Sequence, residues 1–172
     1  ILKSEKVFDD YNVLKVRLHS LVSGSYSKYF EYNNFVSKDQ YIKELLSAPN
    51  DRKAQIINFN INYIDDRFAK TITKIYSKML FNYAKQMDKR ATLPFHILLE
   101  EAHRYVQNDN DVNLLGYNIF ERIAKEGRKY GILLGFISQR PSELSNASLS
   151  QCSNFLIFKM IHPDDIEYIY KM

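Results

Sequence analysis

HILLEEAHRYV, residues 96–106, decides how this chain is read. Three branched aliphatics, Ile97, Leu98 and Leu99, run straight into two carboxylates, Glu100 and Glu101. Acids sit poorly at the end of a buried strand unless something there needs negative charge. Working outward, AQIINF (54–59), ILLGFI (132–137) and NFLIFKM (154–160) are further apolar runs of strand length. Stretches of helical period separate them: 65–86, about 112–129, a Ser/Asn-rich segment reaching Gln151, and a last helix opened by Pro163. Strands that are apolar throughout and alternate with helices predict an α/β fold, a mostly parallel sheet with helices on both faces. In such sheets ligands bind beyond the carboxyl ends of the strands. Glu100 and Glu101 fall at one such end, and Ser138, Gln139 and Arg140 at another, so the two clusters are expected to be neighbours.

The first 50 residues differ in texture. Val7, Phe8, Tyr11, Leu14, Leu18 and Leu21 recur at helical spacing, Ser23-Gly24-Ser25 breaks the pattern, and a shorter helix is expected over 38–47. Ala48-Pro49-Asn50-Asp51 is a plausible boundary turn, which predicts a helical segment over 1–50 and an α/β part over 51–172. An Ile at position 1 and a helical pattern running to Met172 suggest a piece of a longer protein.

Composition narrows the class. A chain of 172 residues, 45% hydrophobic with Gly 5 and Pro 4, can bury a core and is neither fibrous nor low in complexity. The single cysteine, Cys152, cannot form an internal disulfide, which favours a reducing, cytoplasmic setting. No apolar run approaches the ~20 residues a membrane helix needs. The formal charge is +4, and residues 51–95 carry nine Lys/Arg against four Asp/Glu. On the helix from Asp65, Lys70, Lys74, Lys78, Lys85 and Lys89 share one arc, opposite Phe68, Ile72, Ile75, Met79 and Tyr83. That arc reads either as a solvated face or as a surface for phosphates or an acidic partner.

A hydrophobic strand ending in two acids is the Walker B arrangement of P-loop NTPases. The first acid helps hold Mg²⁺, directly or through water, and the second polarises the water that attacks the γ-phosphate. The competing reading is two acids placed at the positive N-terminus of a following helix. His103 forms no H-E-x-x-H with another histidine, which argues against a zinc protease and for a structural or signalling role beside the acidic pair. In IAKEGRKYGILLGFISQRPSEL, residues 123–144, a strand delivers Gln139, a neutral amide able to contact a phosphate and orient water. Arg128 offers a planar fork for phosphoryl charge, or simply a cation at a helix C-terminus.

LLEEAHRYV, IAKEGRKYG, ISQRPSELSNASLSQC and NFLIFKMIHPDD, in this order, resemble the C-terminal half of the HerA/FtsK-type motor ATPases, HerA above all. The resemblance is specific over 95–165 and weak over 54–90, and over 1–50 it matches only the position of a helical insertion. It implies a partial RecA-like P-loop NTPase core, with ATP and Mg²⁺ as cofactors and Glu100 as the Walker B acid and metal ligand. It further implies Glu101 as the catalytic glutamate, Gln139 as the sensor glutamine, and Arg140 beside it at the nucleotide. Arg128 is the best match to an arginine reaching the neighbouring subunit's nucleotide, with Arg122 and Arg140 as further candidates. The partners implied are other copies in a hexameric ring, double-stranded DNA, and a nuclease or phage-defence effector, with no membrane. Motors of this family thread DNA through a central pore; the stretch 107–113 (QNDNDVN) is placed for a pore loop but is acidic, so DNA contacts stay unassigned. One departure stands out: no G-x-x-x-x-G-K-[ST] occurs in the 172 residues, so no amide cradle or lysine for the phosphates is present and these residues alone should bind ATP poorly. The alternatives are a non-catalytic assembly module derived from such an ATPase, or another P-loop motor such as a conjugative-coupling ATPase.

Overall fold

The computed structural model describes residues 5–24, 26–29, 31, 35–46, 56–107 and 117–172. The chain forms two compact units, Ile1–Ser37 and Lys38–Met172. The first contains α1 (Glu5–Ser23) and a 3-10 turn at Ser27–Tyr29. Helix α1 follows the expected periodicity and ends at Ser23, beside Gly24. Phe8, Leu14 and Leu18 are each more than half exposed.

The second unit carries α2 (Lys38–Leu45), α3 (Asp66–Gln86), β1 (Phe95–Glu100), α4 (Ile119–Glu126), β2 (Ile132–Ile137), α5 (Asn146–Leu149) and α6 (Pro163–Tyr170). Helix α2, read above with the helical segment, belongs to this unit. It docks on α3 through a Tyr41–Tyr76 hydroxyl contact of 2.7 Å and a fully buried Ile42. The expected turn at 48–51 lies outside the described residues.

Local chemistry sets the helix starts. Asp65 caps α3 by accepting from the amides of Arg67 and Phe68, and Asn118 caps α4 by accepting from those of Phe120 and Glu121. Of the helix expected from about Val112 to Lys129, residues 112–116 lie outside the described residues, Ile119–Glu126 is helical, and the chain then tightens into a 3-10 turn at Gly127–Tyr130. Gly131, at φ +79°, then reverses the chain, and a Cβ there would stand 3.0 Å from Ala91 and 3.3 Å from Pro94.

Strands β1 and β2 pair in parallel, from Phe95 opposite Ile132 to Glu100 opposite Ile137. One face presents Phe95, Ile97, Leu99, Ile132, Leu134 and Phe136 to a core that holds Phe81 and Ala84 of α3 and Ile119, Phe120 and Ile123 of α4. The other face bears Leu98 (65% exposed), Leu133 and Ile137, open among the described residues.

Two expected strands are corrected. The apolar residues 56–59 and 154–160 form no strand. Phe155, Leu156 and Phe158 are exposed, Leu156 by 89%. An apolar run becomes a strand only when a neighbouring edge takes its backbone hydrogen bonds, and neither run lies against one among the described residues.

The lysine arc of α3 is corrected as well. The arc facing the core is Ala69, Ser77, Leu80, Phe81 and Ala84; Lys70, Lys74, Lys78 and Lys85 flank it instead of lying opposite, and Lys89 lies beyond the helix end at Gln86. Lys74 is only 7% exposed, while Ile75, expected inside, is 49% exposed. Lys78 lies over the Tyr117 ring and Lys85 over Phe81 and Tyr130, with ammonium-to-centroid distances of 5.7, 5.4 and 5.9 Å. Their methylene stems cover the core edge, as long charged side chains do when only the head needs water. Among the described residues no helix is long and apolar enough to cross a membrane.

Candidate functional site

The carboxyl ends of both strands open onto one rim. Strand alternation puts Glu100 on the open face beside Ile137, its partner in the register. Glu100 is exposed and, among the described residues, its carboxylate makes no hydrogen bond or ion pair. The next residue breaks the alternation. Glu101 has φ 50° and ψ 47°, the left-handed region that non-glycine residues rarely enter. This backbone turn converts strand to a 3-10 turn at Ala102–Arg104 and drops Ala102 and Val106, both 0% exposed, into the core. It also aims the Glu101 carboxylate across the strand ends.

There Gln139 Nε2 donates to Glu101 Oε1 at 2.9 Å, although 38 residues separate them. His103 Nδ1 lies 3.3 Å from the second carboxylate oxygen, Oε2, and 3.1 Å from Ser138 Oγ. Ser138 Oγ in turn accepts from the Arg140 amide at 3.0 Å. Gln139 thus holds one oxygen of Glu101 from the end of β2, and the His103 ring borders the other from the end of β1. The sequence placed His103 beside the acidic pair, but its link to Ser138 was not legible there.

Neighbouring contacts hold the rim. Arg104 pairs with Asp66 at the start of α3, which raises the guanidinium above its ordinary value. Burial raises the Tyr105 hydroxyl. Beyond Gln139, Arg140 pairs with Glu143 at 2.9 Å, and that hydrogen bond raises its pKa. Asp165 of α6 accepts from the Ser142 amide (3.1 Å) and hydroxyl (2.6 Å). Burial pushes the Asp165 carboxyl up, but the two Ser142 hydrogen bonds, His162 and Arg140 together bring it below the usual carboxylate range. Sequence reading did not single out this tie between the Gln139 loop and α6. Its one local signal was an acid in the first turn after Pro163.

Of the expected site residues, Glu100, Glu101, Gln139 and Arg140 share the rim. Arg128 does not. It is exposed in the turn before β2, at the opposite end of a strand whose six residues span ~20 Å. Arg122 is engaged with Glu126 at 3.5 Å and stacks 4.9 Å from the Tyr117 ring. The stretch 107–113 lies outside the described residues from 108 onward.

A single free, exposed carboxylate fits Mg²⁺, which keeps several waters and takes further ligands from phosphates. Among the described residues no cluster of three His, Cys, Asp or Glu forms a protein cage for a metal. The donor set therefore suits the hydrolytic side of a nucleotide site, and the phosphate cradle has no counterpart in these 172 residues.

The backbone at Glu101 makes a stability prediction. Glu101→Gly and Glu101→Ala both remove the carboxylate, but only glycine enters the left-handed region without a Cβ penalty. The Gly variant should be more stable than the Ala variant by about 1 kcal/mol in denaturant titration. Equal midpoints would contradict the left-handed turn.

No family model matches the chain. Individual relatives do. The chain is 31% identical over 154 residues to the DNA double-strand break repair helicase HerA of Sulfurisphaera tokodaii, covering 77% of this chain and 30% of that protein. It is 36% identical over 114 residues to the same-named protein of Sulfolobus acidocaldarius, covering 64% of this chain and 23% of that one. A probable HerA of Methanocaldococcus jannaschii is 27% identical over 168 residues, covering 96% of this chain and 30% of the relative. The chain thus spans about a third or less of these relatives' length. By this similarity the chain belongs to the HerA-like family of motor ATPases.

Proposed function

We propose that this chain supplies the hydrolytic half of a HerA-like, ATP-driven motor that moves along duplex DNA. The observation that carries the reading is the 2.9 Å contact from Gln139 to Glu101 across two parallel strand ends. An acid and a neutral amide brought to one rim, beside an unpaired acid, form a set able to cleave a phosphoanhydride with water.

Each residue has a task. Glu100 would hold Mg²⁺, directly or through water, and that ion when bound neutralises phosphoryl charge. Glu101 polarises the attacking water, its carboxylate held in line by Gln139 and aimed by the left-handed turn. Gln139 keeps Glu101 in line through its amide N–H and, as the sensor glutamine of this reading, links that base to the loop that follows it. Arg140 extends the rim with positive charge. Arg128 serves the nucleotide of a neighbouring subunit in a ring, here taken as hexameric. The phosphate cradle comes from residues outside these 172. Duplex DNA is the proposed track because the HerA relatives are named for double-strand break repair. A nuclease or defence effector is the proposed partner.

The metal assignment has its own test. In the whole protein Glu100→Ala should raise the Mg²⁺ concentration for half-maximal ATP turnover by about tenfold or more. A magnesium titration of phosphate release reads this, and an unchanged midpoint removes Glu100 from the metal.

A further inference from the structure

His103 touches both halves of the rim, yet none of the steps above uses it. Its ring is on the 3-10 turn after β1, and its side chain is only 16% exposed. Nδ1 stands 3.3 Å from Glu101 Oε2 and 3.1 Å from Ser138 Oγ, in the loop that carries Gln139. A carboxylate only accepts hydrogen bonds. The Nδ1 hydrogen bond runs to Ser138 Oγ, with Oε2 3.3 Å to its side, so an N–H at Nδ1 presents its positive end to both oxygens. The same serine oxygen accepts from the Arg140 amide.

From this arrangement we infer that His103 is a positioning residue for Glu101. Its ring, hydrogen-bonded to Ser138, borders one carboxylate oxygen while Gln139 binds the other, so Glu101 is aligned only when the Ser138–Gln139 loop is in place. A carboxylate held at one oxygen alone rotates about its terminal bond, and a polar ring against the other oxygen restrains that rotation. The histidine thereby makes the aim of the general base depend on the neighbouring strand end. The inference rests on the hydrolytic reading of Glu101.

The experiment compares His103→Ala, His103→Asn and Glu101→Gln in the whole protein, measuring kcat and KM for ATP. Asn places an amide N–H where Nδ1 sits. The expected result is a kcat lower by roughly tenfold to a hundredfold in His103→Ala with KM little changed, and most of that loss recovered in His103→Asn. A kcat unchanged in His103→Ala, or an Asn variant as slow as Ala, overturns the inference. If His103→Ala does not fold, His103→Leu fills the space without a donor: Asn faster than Leu supports the inference, and Asn equal to Leu overturns it. Glu101→Gln separates the two levels. If it is inactive while His103→Ala is normal, only the positioning role falls. If it turns over ATP normally, the hydrolytic reading falls, and this inference with it.

Discussion

Replacing Glu101 by Gln in the whole protein should slow ATP turnover by roughly 10²–10⁴-fold while leaving nucleotide binding intact. Gln keeps the length and planarity of Glu and still offers an oxygen to Gln139 Nε2, which now binds Oε1 at 2.9 Å. What it loses is the negative charge that draws a proton from water. The unusual backbone at position 101 is equally hard for both residues, so the exchange tests charge with the fold held constant. Phosphate release measures turnover, and equilibrium binding of a fluorescent ATP analogue measures occupancy. Unchanged turnover would take Glu101 out of the reaction.

In the ring proposed above, Arg128→Ala should lower hydrolysis by about 10³-fold or more, the scale of losing an arginine that stabilises phosphoryl charge in trans. The reason is positional. Arg128 is exposed at the far end of β2, ~20 Å of strand from its own acidic pair. It cannot reach a nucleotide held at its own rim, so it acts on a neighbour's or on none. Mixing Arg128→Ala subunits with Glu101→Gln subunits distinguishes these. Some interfaces then join an intact Glu101 to an intact Arg128, and turnover should partly return. Mixtures that stay inactive at every ratio would rule out Arg128 in trans and leave Arg140, already at the rim, as the remaining charge.

Much of the second unit was legible because its signals are local. The apolar runs 95–99 and 132–137, lying between helical periods, marked β1 and β2. Asp65 marked the start of α3, and Pro163 that of α6. Where the reading failed, it had used a local signal for a question of neighbours. Residues 154–160 have the composition of a strand, but a strand needs an adjacent edge. The α3 lysines form an arc in projection, but which arc faces inward depends on what packs against the helix: Ala69, Phe81 and Ala84 join the core shared with Ile119, Phe120 and Ile123.

Sequence alone determined the α/β class, the parallel pairing implied by apolar strands, and the candidacy of Glu100, Glu101 and Gln139, because spacing and residue type are properties of the chain itself. Folding in three dimensions decided that Gln139 meets Glu101, that His103 and Ser138 join them, that Glu101 leaves the strand through a left-handed turn, and that Arg128 stands at the opposite end. Each of those depends on which segments pack together across tens of residues, a matter of shared core and strand register that no local pattern encodes.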